Sequence, residues 1–62
     1  MTNNDRALQL ARELHDHPGA SAKGRALAAE LIEAIEAGEE APPETIPTLE
    51  SMLARADRAA GR

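Results

Sequence analysis

Residues 22–37, AKGRALAAELIEAIEA, form the longest uninterrupted helical pattern in the chain. At 100° per residue, Leu27, Ala28, Leu31, Ile32, Ala34 and Ile35 fall on one apolar face about 160° wide. One neighbouring helix cannot cover a face of that width. The pattern therefore predicts a helix set between two others, or a helix with one intramolecular neighbour and a second chain on its other side. Glu30, Glu33 and Glu36 lie outside the face, on the solvated side. Gly24 falls within it, near Leu27 and Leu31. Glycine costs about 1 kcal/mol against alanine in a helix interior. Either it admits a close neighbour, or it sits near enough to the helix start for the cost to be small.

Upstream, Ala7, Leu10, Ala11 and Leu14 repeat at i, i+3, i+4 and i+7, with Leu8 at the border, which predicts an amphipathic helix over 4–16. Thr2, Asn3 and Asn4 offer capping oxygens at its start, and Asp5 suits the positive end of its dipole. Pro18 disfavours helix at the residue before it, and Gly19 is expected to supply a left-handed turn. Ser21 caps the central helix, placed at 21–37. The short connection makes the two helices an antiparallel hairpin.

Downstream, Gly38 is the expected helix stop. The prolines and carboxylates of 39–44 predict a semi-rigid extended spacer. Thr45 is the expected cap of a third helix over 45–60, with Pro47 tolerated in its first turn. Ile46, Leu49, Met52, Leu53, Ala56 and Ala60 line one face of it. Its second half carries only alanines there and is expected to dock weakly, fraying near Gly61 and Arg62. The fold expected is all-α: a helical hairpin plus a third amphipathic helix, a small three-helix bundle that self-associates through Gly24, Leu27, Leu31 and Ile35 as a homodimer.

Composition narrows the function. The 62 residues make one small domain, near the lower limit for folding without disulfides, metal or a partner. There is no cysteine and no aromatic residue, and alanine supplies more than half of the apolar content. A net charge of −4 argues against non-specific nucleic-acid binding, which requires a basic surface. No apolar run is long enough for a membrane span, and MTNNDRALQL lacks the features of a secretory signal, so a cytoplasmic location is expected. Arginine outnumbers lysine six to one, which with the alanine excess suggests a GC-rich bacterial or phage genome.

Candidate chemistry is sparse. His15, Asp16 and His17, with Glu13 before them, are the one set resembling metal ligands. Their spacing suits a helix C-terminus and turn better, so no metal or cofactor is expected. No serine or threonine has a base placed beside it by sequence, and the chain is not expected to be an enzyme. Arg55, Arg58 and Arg62 fall within about 60° on the third helix, a guanidinium stripe for carboxylates or phosphates. The leading expectation is a small protein-binding regulator, such as a phage-type inhibitor of a host system or an antitoxin-like protein. Its partner-binding face would be Ile46, Leu49, Met52 and Leu53, flanked by Arg55 and Arg58. A structural homo-oligomerisation or docking module is the alternative, and a nucleic-acid-binding regulator using the arginine stripe is a third reading.

Overall fold

The computed structural model describes residues 3–61 and contains α1 (Asn3–Asp16), α2 (Ala22–Glu36) and α3 (Thr45–Ala59). The expected all-α bundle is present, with each helix within a residue or so of its predicted bounds. Asn4 at the start of α1 bonds to Glu39 and Ala41 just past α2, so these two helices are antiparallel. Arg6 reaches Glu50 and His17 reaches Asp57, so α1 and α3 run in the same direction.

The middle of the bundle is α1, where the sequence pattern pointed to α2. The first helix packs against both others, whereas α2 and α3 scarcely touch each other. The whole apolar stripe of α1 is enclosed. Ala7 and Ala11 are fully enclosed and let neighbouring helices come close, while Leu10 and Leu14 fill the space between. In α2 only Gly24 and Ala28 are buried. Leu31, Ile32 and Ile35 pack on the core from one side and remain half-buried, and Leu27 does not join them. Of the two arrangements its wide face allows, the chain itself supplies only one neighbour. Leu49, expected on a partner-binding face, is completely enclosed and belongs to the core.

The helix ends follow the sequence in part. Ser21 Oγ accepts from the Gly24 N–H at 3.0 Å and caps α2 as expected. Gly38, at φ 94°, ends α2 with the Glu39 N–H bonded to Ala34 O and the Gly38 N–H to Ile35 O, the paired bonds of a Schellman stop. Thr45, however, is not a cap. The Thr45 N–H bonds to Pro42 O and Glu44 already has helical φ and ψ, so the extended geometry a side-chain cap needs is gone and Thr45 enters α3 as a buried residue. Asn4 likewise lies inside α1 and turns its amide elsewhere. The cap proposed for Thr2 lies outside the described residues.

The second half of α3 was expected to dock weakly for want of bulky residues, yet Ala56 is 3% exposed. The turn after α1 comes down directly on the α3 backbone there. A Cβ on Gly19 would overlap the Ala56 carbonyl oxygen and lie 3.0 Å from Ala60 Cβ. Gly19 is therefore needed for closeness, and the left-handed turn expected of it is absent: among the described residues positive φ occurs only at Gly38 and Gly61.

Gly19→Ala should consequently destabilise the fold by about 2 kcal/mol or more, because the carbonyl it meets belongs to rigid helix backbone. Gly38→Ala meets no atom within 4 Å and carries only the backbone penalty of about 1–2 kcal/mol. Urea titration followed by circular dichroism should rank the two in that order; the reverse order would contradict the close approach.

Candidate protein-binding surface

The His-Asp-His segment at the end of α1 is a structural junction. The His17 ring is 8% exposed and lies between the turn and α3. Gly19 N–H donates to its Nδ1 at 3.0 Å, so Nδ1 is an acceptor and the ring proton sits on Nε2. That nitrogen lies 2.6 Å from Asp57 Oδ1, forty residues away in sequence, and donates to it. The carbonyl of the same residue accepts from Arg25 Nη2 at 2.9 Å. His17 thus joins all three helices. His15 is exposed and pairs with its neighbour Asp16, at 3.2 Å. No group of three His, Asp or Glu side chains among the described residues is arranged to hold a metal ion.

A second polar clamp closes the opposite end. Asn4 Nδ2 donates to Glu39 O at 3.0 Å, and Asn4 Oδ1 accepts from the Ala41 N–H at 2.8 Å. The spacer is thereby held against α1, and Ala41 packs on the core. The sequence signal for this was ambiguous, since an asparagine near a helix start reads first as a cap.

With α1 in the middle, two open seams remain, and they differ in charge. The α1/α3 seam is a groove of about 670 Å³ lined by Leu10, Leu53, Ala54 and Pro18, with Arg6, Glu13, Asp16, Glu50 and Asp57 around it. One cation faces four carboxylates there. Glu50 is paired with Arg6 at 3.7 Å, an exposed contact of small energy, and Glu13 has no ion-pair partner among the described residues. The α2/α3 seam is a groove of about 620 Å³ flanked by Lys23, Glu30 and Arg55, without an acidic excess.

The apolar face predicted for α3 is divided between these seams. Leu53 faces the acidic groove and Met52 the other, with Leu49 and Ala56 enclosed between them. Ile46 is half-buried against the core. Arg55 and Arg58 are both exposed, Arg55 beside α2 and Arg58 in the last turn, while Arg62 lies outside the described residues. Gly24, placed with the self-association residues, is buried within the chain, where a Cβ would sit 3.4 Å from Met52 Cε. Leu27, Leu31 and Ile35 remain half-buried. No helix is long and apolar enough to cross a membrane among the described residues. Comparison with protein-family models, curated proteins and solved structures finds no match to this chain.

The His17–Asp57 contact should be measurable as a coupling. His17→Ala and Asp57→Ala should each destabilise the fold, and the double variant should lose about 1–2 kcal/mol less than their sum, since half of Asp57 is solvated. Imidazole nitrogen shifts should identify His17 as the Nε2–H form. Additive losses would show that the contact contributes nothing.

Proposed function

We propose that the protein is a small protein-binding regulator, of the inhibitor or antitoxin type, whose partner presents a basic amphipathic helix. One observation carries the reading: the α1/α3 groove gathers four carboxylates and one arginine around an apolar floor that includes half-buried Leu53. An aliphatic floor takes the apolar stripe of a helix, and flanking carboxylates take lysines or arginines at its borders. Long-range attraction speeds the encounter, and the apolar contact holds the complex.

On this reading the residues of α3 that matter differ from those expected from the sequence. Of the face read from sequence, Leu53 is the residue available to a partner in this groove. Leu49 serves the core, Arg55 flanks the other groove, and Arg58 is not among the residues that line this one. The groove is also framed by the His17 junction, so its walls are fixed relative to each other before a partner arrives. A preformed groove reduces the ordering cost of binding.

The experiment uses a synthetic amphipathic helix with a leucine stripe bordered by lysines, titrated against the full chain by calorimetry. Binding should weaken steeply with added salt. It should fall at least ten-fold in a Glu13→Lys/Asp16→Lys variant and be lost in Leu53→Ser, while Arg58→Glu leaves it unchanged or tightens it. Equal affinity of the parent for the lysine-bordered helix and for a glutamate-bordered one would refute the reading.

A further inference from the structure

The α2/α3 groove is a separate surface with a different chemistry. Gly24 and Ala26 keep it low, Leu27 and Met52 form its apolar part, and Lys23, Glu30 and Arg55 flank it. Leu27 is half-buried without reaching the core, and Leu31 beside it is covered on one side only. Lys23 and Glu30 are exposed and have no ion-pair partner among the described residues.

We infer that this groove is occupied by a second copy of the chain, packed about a two-fold axis that passes beside Leu27. A two-fold interface must be self-complementary, because each residue meets its opposite in both directions. Lys23, Leu27 and Glu30 stand at i, i+4 and i+7 and therefore share one stripe of α2. When two such stripes run antiparallel with Leu27 at the centre, Lys23 of each copy stands opposite Glu30 of the other. The two charges of α2 are each matched twice and Leu27 is covered by its equivalent, while Arg55 stays on the α3 wall outside this pairing. An unrelated partner has no need of opposite charges placed evenly on either side of a leucine.

The acidic groove makes the converse case. With four carboxylates against one arginine, it repels an identical surface more strongly than the α2/α3 groove, where two cations and one carboxylate come nearer to balance. The two seams are thus assigned to different occupants by charge. Pairing through α2 also supplies the second neighbour that its wide apolar face lacks within the chain. This inference stands apart from the proposed binding of a basic helix, since the residues involved lie on the other side of α3.

The test is charge exchange in the full chain, read by sedimentation velocity over a concentration series. The parent should show a reversible dimer. Lys23→Glu and Glu30→Lys should each weaken it roughly ten-fold, because each substitution breaks two exposed ion pairs per dimer. Mixed in equal amounts, the two variants should restore association as a heterodimer, visible by native mass spectrometry, since the mixture regenerates both pairs. Leu27→Asp should leave a folded helical monomer. A parent that stays monomeric at every concentration overturns the inference and opens the groove to a different protein. So does a mixture that associates no better than either variant alone. Should Leu27→Asp unfold, the exposed charge variants still decide the outcome.

Discussion

A chain without aromatic residues or valine must build its core from what alanine, leucine, isoleucine and methionine provide. Alanine removes little surface from water on its own, so it stabilises a fold only where backbones come close enough to exclude solvent around it. Everything here depends on that closeness. Ala7, Ala11, Ala28 and Ala56 are at most 3% exposed, and the tightest approach is the Gly19 turn on the Ala56 backbone. Leu14 and Leu49 are the largest side chains to be fully enclosed. The bundle is held by proximity more than by bulk, and a single added methyl group at the turn disturbs it.

Close packing of small residues lacks the shape that interlocking large side chains give, and here polar contacts supply the alignment. His17 fixes one end by bonding to the turn, to α2 and to α3; Asn4 fixes the other by holding the spacer. Both side chains use donor and acceptor together, so neither leaves a buried polar atom unmatched. Each clamp constrains position along the helix axis, which alanine contacts alone leave loose.

Much of this was legible in the chain. Periodicity located all three helices, and the Ser21 cap and Gly38 stop followed from local chemistry that needs only neighbouring residues. What escaped the sequence required knowing who lies opposite. Leu27, Leu31 and Ile35 made α2 look central, yet the middle went to α1, whose Ala7, Leu10, Ala11 and Leu14 are all enclosed. Leu49 and Leu53 are indistinguishable as letters, but one is enclosed and the other lines a groove. The Asp57 carboxylate that meets His17 was unpredictable because no pattern links positions forty apart. The acidic groove was hidden for the same reason: Glu13 and Asp16 come from one helix, Glu50 and Asp57 from another, and neither helix is conspicuously acidic alone.

The two bonds of the His17 ring differ in when they can form. The contact with Gly19 spans two residues and exists as soon as the turn closes, whereas Asp57 must arrive from the far end of the chain. Short loops close at far smaller entropic cost than long ones. The local bond alone fixes which way the imidazole points, so Nε2 needs no partner in α3 to be turned outward from the hairpin. The hairpin thereby carries a donor whose direction is set by its own turn, and Asp57 marks the register at which α3 meets it. In this bundle one ring joins the two scales of the fold, one nitrogen serving the neighbouring turn and the other a helix forty residues away.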